Sequence, residues 1–232
     1  MKRPCRPSPK SPPAAAWDDV IAVDSGGDFL HRCGIAARLV IGDLDSISPA
    51  ALAWHRDRGA EVRAFPADKD QTDLELALAV LPRDPAARVH LCGVWGGRLD
   101  HALMNLLVLP GFTDRGLFLF DTDEGCGGVM GPGTLCLTAP AGTPAALIAL
   151  AEATGLSSEG VRWPLRAARL RRGEARGISN VTVDPAWRLR LAGGCLLWLV
   201  RGTARAAAGI EWLPAKPPRR GRPGAGRGRE GG

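Results

Sequence analysis

The chain has 232 residues, 45% of them apolar, and carries a formal net charge of +6. This composition is enough for a sizeable core and excludes disorder throughout, and the length suits one full-size domain with a smaller one. The longest uninterrupted apolar run covers residues 145–151. A bilayer span needs about 20 such residues, so no membrane-spanning segment is expected.

The positive charge is concentrated at the two ends of the chain. Residues 1–16 hold four basic and no acidic groups, and residues 214–232 hold six basic groups and Glu230, which leaves 17–213 with a net charge of −3. Both ends are rich in Pro, Gly and Arg, so we predict disordered basic tails and do not expect nucleic acid as a partner. The prolines at the start are unlike a signal peptide, and the six cysteines form no C-x-x-C pair. A reduced, cytoplasmic protein without a zinc site is expected.

From residue 18 the pattern alternates between strands and helices. A capping-box sequence, Thr72-Asp73-Leu74-Glu75, opens an apolar stripe at helical spacing, and a second such stripe runs over 99–107. Short apolar runs lie before and between them, at 20–23, 39–41, 61–65, 89–94 and 117–120. This alternation predicts an α/β domain with a mostly parallel sheet.

After about residue 121 the helical periodicity ends. Short apolar runs separated by Gly and Pro follow, at 134–138, 145–150, 187–191 and 195–200, and they predict a small all-β sandwich. We place the boundary in the glycine-rich stretch 121–131. The predicted division is a basic tail (1–16), an α/β domain (17–124), a β-sandwich domain (125–213) and a second basic tail (214–232).

Carboxylates lie where predicted strands end and where a predicted helix begins: Asp24, Asp43, Asp45 and Asp73. Ligands of open parallel sheets bind beyond the carboxyl ends of the strands, and carboxylates that converge there need a cation. Oxygen ligands without His or Cys favour Mg²⁺, which implies a phosphate-bearing substrate. Lys69 and Arg98 lie on nearby loops, and the Gly96-Gly97 turn allows close approach of an anion. Each aspartate alone could instead cap a helix or form a turn.

Several segments resemble the thiamine pyrophosphokinase (thiamine diphosphokinase) family, over about residues 18–200. They are Ile41-Gly42-Asp43-Leu44-Asp45-Ser46-Ile47, Lys69-Asp70-Gln71-Thr72-Asp73-Leu74-Glu75, Gly96-Gly97-Arg98-Leu99-Asp100-His101, Ser157-Ser158-Glu159-Gly160-Val161-Arg162-Trp163-Pro164-Leu165 and Gly177-Ile178-Ser179-Asn180. The segment Asp24-Ser25-Gly26-Gly27-Asp28 departs from the family's usual D-G-G-A-N. The family also has a strand before the one that ends at Asp24, where this chain has only its proline-rich start.

The resemblance implies transfer of pyrophosphate from ATP to thiamine, giving thiamine diphosphate and AMP, with Mg²⁺, in a homodimer whose active site lies between subunits. The implied metal ligands are Asp43, Asp45 and Asp73, and these three aspartates together with Arg98 are the implied catalytic residues. The resemblance thus implies that 17–124 is the nucleotide- and Mg²⁺-binding catalytic domain and that 125–213 is the thiamine-binding domain. The implied nucleotide-binding residues are Asp24, Gly26, Lys69, Asp70, Gln71, Thr72, Gly97, Arg98, Asp100, His101 and Asn105. The implied thiamine-binding residues are Ser157, Trp163, Ser179 and Asn180.

Two other functions use the same acids. One is a Mg²⁺-dependent phosphohydrolase with water as the nucleophile, and thiamine-dependent AMP release would separate it from the kinase. The other is a ligand-binding remnant without turnover, damaged by a truncated N-terminus.

Overall fold

The computed structural model describes residues 17–96, 98–202 and 209–216. The predicted tail 1–16 and residues 217–232 of the second predicted tail lie outside the described residues. The second tail was predicted to begin at residue 214, but Pro214 belongs to a strand and the Ala215 N–H donates to the Pro132 carbonyl at 2.9 Å. Four α-helices are present in these ranges: α1 Gly26–Arg32, α2 Pro49–Arg56, α3 Asp73–Ala79 and α4 Leu99–Leu107. Two 3₁₀ helices cover Leu109–Arg115 and Ala175–Gly177. The thirteen strands are β1 Ile21–Val23, β2 Leu39–Gly42, β3 Glu61–Ala64, β4 Arg88–His90, β5 Leu117–Thr122, β6 Gly125–Met130, β7 Gly133–Thr138, β8 Pro144–Glu159, β9 Ala168–Leu170, β10 Asn180–Val181, β11 Ala186–Leu191, β12 Gly193–Arg201 and β13 Ile210–Pro214.

A three-stranded parallel sheet holds β1, β2 and β3 in that order. The central strand β2 is buried along its whole length, as a strand covered on both faces requires. One face, with Ala22 and Val40, packs on α1 and α2, and the opposite face, with Leu39 and Ile41, packs on α3. The sheet is therefore a helix-covered layer whose strands end at the same edge.

The parallel strands are divided between two sheets, which differs from the single sheet predicted. Strand β4 pairs in parallel with β5, but β5 then pairs antiparallel with β6 and continues into a ten-stranded sheet. The order along this sheet is β13-β7-β11-β8-β12-β6-β5-β4, and β9 and β10 pair with β8. The fold is a mixed α/β structure in which strands dominate.

The long strand β8 belongs to two layers. Its first part pairs with β12, and its last residues pair with β11 after a shift in register. Side chains from both layers share one core, in which Trp187 of β11 and Trp198 of β12 are almost completely buried. A second core, around Phe118 and Phe120, joins the other face of the sheet to α3 and α4.

The glycine-rich segment predicted as a boundary loop is instead the central strand β6. Its glycines are required by their neighbours, because a side chain at Gly127 would press on Phe120 and Leu199. A Cβ at Gly128 would lie 2.7 Å from the ring of Trp198 and overlap the Phe118 carbonyl. The glycines thus let β5, β6 and β12 pair beneath large aromatic side chains, a role of strand glycine that local sequence does not reveal.

Candidate active site

Three of the four predicted acids meet at the edge where β1 and β2 end. Asp24 follows β1, Asp43 follows β2, and Asp45 lies two residues further on. Each of the three offers a carboxylate oxygen within 4.8 Å of the others, with Asp24 and Asp43 partly buried and Asp45 exposed. Parallel strands bring their carboxyl ends together, so three acids separated by up to 21 positions become one cluster.

The backbone at this edge is shaped to bring the acids close. Gly42, the last residue of β2, has φ +146°, and a Cβ there would lie 3.2 Å from the Cβ of Asp24 and 3.4 Å from the Cγ of Asp73. Asp24 and Leu44 also adopt positive φ angles, of 45° and 63°. Glycine at position 42 therefore lets the acids approach where a larger residue would separate them.

Asp73 and Lys69 lie beside the cluster. The Nζ of Lys69 is 3.2 Å from Oδ1 of Asp73 and 4.0 Å from Oδ2 of Asp43, and it donates to the Pro66 carbonyl at 3.0 Å. Asp73 is the first residue of α3, whose capping box is complete: Thr72 Oγ1 accepts from the Glu75 N–H and Glu75 accepts from the Thr72 N–H. Lys69 thus offers a single positive charge between two of the acids.

The cluster has the electrostatics of a cation site. Repulsion from Asp43, reinforced by some loss of hydration and by the charges of Asp24 and Asp73, raises the pKa of Asp45. Asp43 Oδ1 accepts from the Asp45 N–H at 3.2 Å, and Asp24 accepts from both the N–H and the hydroxyl of Ser46. Oxygen donors alone, held close against their mutual repulsion, fit Mg²⁺, which would relieve that repulsion.

Among the residues of the predicted nucleotide side that the structure describes, no hydrogen bond or ion pair joins Arg98, Asp100 or Asn105 to the acidic cluster. Arg98, at the start of α4, forms a two-pronged ion pair with Asp100, at 2.5 and 3.1 Å, which lowers the pKa of Asp100 to about 2. Both side chains are exposed, as is His101. Asn105 donates to the Val94 carbonyl at 3.1 Å and so ties α4 to the preceding loop.

Three further members of that set make no side-chain contact with the acids, and a fourth cannot be placed. Asp70 and Gln71 are exposed on the loop before α3. Gly26 opens α1 and has free space around the position of a Cβ. Gly97 lies outside the described residues.

The predicted thiamine residues lie in the β-rich part of the chain. Trp163 is 56% exposed, and its backbone is bracketed by the buried Asn180, which accepts from the Trp163 N–H at 3.2 Å and donates to the Trp163 carbonyl at 2.9 Å. Ser157 accepts from the Ala167 N–H at 3.0 Å, and Ser179 is exposed with a positive φ of 60°. Asn180 thus holds the backbone that presents the tryptophan ring.

Sequence reasoning did not select Ser46, Ser48 or Asp28, although all three join the turn after β1 to the loop after β2. The signal was present in part, since Ser48 followed by Pro49 is a typical helix start. Their partners lie about 20 positions away, and a local pattern cannot reveal such pairings.

Known proteins resemble the chain over this region. Residues 15–118 match the family model for the thiamin pyrophosphokinase catalytic domain. The chain is 25% identical over 182 residues to thiamine pyrophosphokinase 1 of Oryza sativa subsp. japonica, covering 70% of this chain and 65% of the relative. It is 37% identical over 90 residues to the thiamine pyrophosphokinase of Bacillus subtilis (strain 168), covering 38% of this chain and 42% of the relative. Both matches span less than two thirds of the relative's length.

Solved structures extend the likeness to most of the described chain. A thiamin pyrophosphokinase from Geobacillus thermodenitrificans superposes with a TM-score of 0.62 at 26% identity, over 80% of this chain and 87% of that one. A thiamin pyrophosphokinase family protein from Enterococcus faecalis shares the fold with a TM-score of 0.67 at 22% identity, over 84% and 93%. The motifs, the fold and these similarities agree: the chain resembles the thiamine pyrophosphokinase family, whose catalytic-domain model matches residues 15–118.

Proposed function

We propose that this protein transfers a diphosphate group from ATP to the hydroxyl of thiamine, with AMP as the second product. The observation that carries the proposal is the cluster of Asp24, Asp43 and Asp45 at the carboxyl edge of the parallel sheet, with Lys69 beside it. The match of residues 15–118 to that family's catalytic-domain model, and the similarity to thiamine pyrophosphokinases, support both membership of the family and the same reaction.

In this proposal Asp43, Asp45 and Asp73 hold Mg²⁺, and Asp24 is a fourth acid beside the ion. The ion would supply charge neutralisation for the triphosphate. Lys69 lies where its Nζ can exchange a carboxylate for a phosphate oxygen, which positions the chain of phosphates. Phosphoryl-type transfer depends mainly on such positioning and charge neutralisation.

The reaction itself needs one proton acceptor. The thiamine oxygen forms a bond to the β-phosphorus, the bond between that phosphorus and the oxygen bridging to the α-phosphate breaks, and AMP leaves with that oxygen. The hydroxyl proton passes to a carboxylate of the acidic cluster.

Trp163 is proposed to bind the cationic thiamine ring. More than half of its side chain is exposed, and the Arg162 guanidinium already lies 5.7 Å from the ring centre. The ring face therefore accepts a cation in this structure, and cation–π attraction of this kind contributes about 0.5–2 kcal/mol. Ser157, Ser179 and Asn180 belong to the same proposed subsite.

The test is the release of AMP from ATP with and without thiamine. Thiamine-dependent AMP, formed in equal amount to thiamine diphosphate, is the expected result. Release of phosphate or AMP that does not depend on thiamine would favour the phosphohydrolase. Binding of ATP and thiamine without any product would favour a ligand-binding remnant.

The active site is proposed to lie between two copies of the chain. Residues 17–124 hold ten basic and eighteen acidic groups, a net charge of −8, whereas residues 125–213 hold ten basic and five acidic groups, a net charge of +5. A twofold dimer can place the basic part of each copy against the acidic part of the other. The outer face of α4 supplies apolar contact area, since Leu99, Leu103 and Leu107 are 74%, 50% and 42% exposed.

Mixing two inactive variants tests this arrangement. Asp43→Asn and Trp163→Ala would each inactivate both sites of their own dimer, while a mixed dimer has one intact site. Random pairing makes half the dimers mixed, so co-refolding should restore about a quarter of the original activity. No recovery, with exchange demonstrated by mass spectrometry, would place the site within one chain.

We also propose that the protein is cytoplasmic, as the sequence predicts.

A further inference from the structure

The turn after β1 and the loop after β2 are fastened together by side chains. Asp24 accepts from Ser46, and Asp28, four residues after Asp24, accepts from Ser48, two residues after Ser46. The Asp28 carboxylate takes the Ser48 N–H at 2.9 Å and the Ser48 hydroxyl at 2.5 Å. Both carboxylate oxygens of Asp28 are therefore occupied by Ser48.

Ser48 has a second task at the same time. It is the N-cap of α2, and its Oγ accepts from the Ala51 N–H at 3.2 Å. The hydroxyl proton is thus directed at Asp28 and the lone pair at the helix. Although partial burial opposes it, this bonding holds the pKa of Asp28 below its ordinary value. The pair joins the first turn of α1 to the start of α2.

His55 of α2 also contacts the turn after β1, from its buried side. It is completely buried, its Nδ1 accepts from the Ala37 N–H at 3.2 Å, and its Nε2 lies 2.9 Å from the Gly27 carbonyl. Because Nδ1 is an acceptor, Nε2 carries the proton and donates it to Gly27. The side chain of Ile47 packs on Gly27, where a Cβ would overlap it. The two segments are therefore in contact at three places, Asp24 with Ser46, Gly27 with Ile47 and Asp28 with Ser48.

We infer that Asp28 and Ser48, supported by His55, form a clamp that sets the distance between Asp24 and the pair Asp43 and Asp45, which makes Asp28 a positioning residue for cation binding. Asp24 lies at one end of the clamped turn, and the other two acids lie at the start of the clamped loop. The inference rests on the proposed cation site and goes beyond it, since Asp28 is outside the acidic cluster.

The physical reason is the repulsion among the three acids. Carboxylates within 4.8 Å of one another push the two segments apart when no cation lies between them. The clamp opposes that movement, so the ligands are already close when a cation arrives. Without it, part of the binding free energy would be spent on closing the gap, which weakens affinity. Outer partners of metal ligands typically change affinity by about 10–100-fold.

The substitutions Asp28→Ala and Asp28→Asn separate bonding from charge. Asn has the family's usual side chain at this position; its Oδ1 can accept from the Ser48 N–H and its Nδ2 can donate to the Ser48 hydroxyl. Asn therefore keeps the clamp and removes the charge, whereas Ala removes both. Asp57→Ala, at the exposed end of α2, is the matched control for loss of one negative charge.

The measurement is Mn²⁺ binding to the full chain, followed by electron paramagnetic resonance. We expect Asp28→Ala to weaken binding by about 10–100-fold, with Asp28→Asn and Asp57→Ala within about twofold of the unsubstituted chain. In the kinase assay, Asp28→Ala should raise the Mg²⁺ concentration needed for half-maximal rate and leave kcat near its original value. That split would not arise from partial unfolding.

Three results would overturn the clamp. They are unchanged Mn²⁺ affinity in folded Asp28→Ala, equal losses in Asp28→Asn and Asp28→Ala, and an equal loss in Asp57→Ala. If Asp28→Ala does not fold, Ser48→Gly replaces it, because Gly is tolerated at an N-cap. This substitution removes the hydroxyl bond to Asp28 and the Oγ acceptor of the Ala51 N–H, and it keeps the backbone N–H bond to Asp28. A several-fold loss of affinity is then expected, and no loss contradicts the inference.

The clamp and the proposed function fail in different ways. No Mn²⁺ binding by the unsubstituted chain would overturn the cation site and the clamp together. Intact Mn²⁺ binding that depends on Asp28, with phosphate release that does not require thiamine, would overturn the kinase and leave the clamp.

Discussion

The acidic part of the chain, 17–124, and the β-rich part, 125–213, are built by different means. In the acidic part the strands are short, three to six residues, and Asp24 and Asp43 directly follow β1 and β2. Side-chain hydrogen bonds such as that from Ser48 to Asp28 fix the loops. The β-rich part contains the sixteen-residue strand β8 and a core around Trp187 and Trp198. Polar contacts thus position the acids of the proposed cation site in the acidic part, and apolar burial stabilises the β-rich part.

Removing one charge from the acidic part should have the largest effect on function. Asp43→Asn keeps the shape of the side chain and weakens the proposed Mg²⁺ site, so we expect turnover to fall by about 100-fold or more with little change in Tm. Steady-state rates and thermal unfolding measure the two. Asp57→Asn, an exposed acid at the end of α2, is the control, and near-normal activity of Asp43→Asn at saturating Mg²⁺ would contradict the assignment.

Two tryptophans of the β-rich part should respond in opposite ways. Trp198→Ala removes a completely buried ring and should lower the free energy of unfolding by about 3–5 kcal/mol. Trp163→Ala removes a ring that is 56% exposed and should leave stability within about 0.5 kcal/mol while raising the KM for thiamine. Denaturant unfolding and kinetics distinguish them. A large loss of stability in Trp163→Ala would assign that ring to packing.

A glycine in β6 tests whether the β-rich part is close-packed at its aromatic layer. Gly128→Ala would press a methyl group on Trp198 and the Phe118 carbonyl, and we expect a loss of about 1–3 kcal/mol. Gly111→Ala is the matched control, since nothing lies within 4 Å of a Cβ there. Chemical denaturation of both variants measures the difference. Equal stabilities would mean that the strand moves to accept the methyl group.

The smallest expected effect tests how separate the two parts are. Trp212 in β13 donates to the Pro85 carbonyl at 2.7 Å, and Arg88 of β4 donates to the Ile210 carbonyl at 2.8 Å. Trp212→Phe removes the first bond and should cost about 0.5–1.5 kcal/mol in a single unfolding transition. Two separate transitions in the variant, followed by fluorescence and circular dichroism, would show that β13 couples the parts.

Helices with a regular apolar stripe, and strands marked by a short separate apolar run, were predictable from sequence. The capping box of Thr72 and Glu75 and the stripe on α4 are confirmed within one or two residues. Helix α1 was missed because it has only seven residues and begins with two glycines, which disfavour helix. Helix α2 was missed, although a serine followed by a proline, here Ser48 and Pro49, is typical of the start of a helix.

The sequence by itself determined the aspartates at strand ends and the helices α3 and α4 of the acidic part, because periodicity and capping act over a few neighbouring residues. Tertiary structure decided what depends on distant partners. Gly127 and Gly128 lie in a strand, because only glycine leaves room there for the large side chains of β5 and β12. Asp28 gained its role from Ser48, 20 positions away, through a hydrogen bond that exists only when α1 and α2 pack side by side.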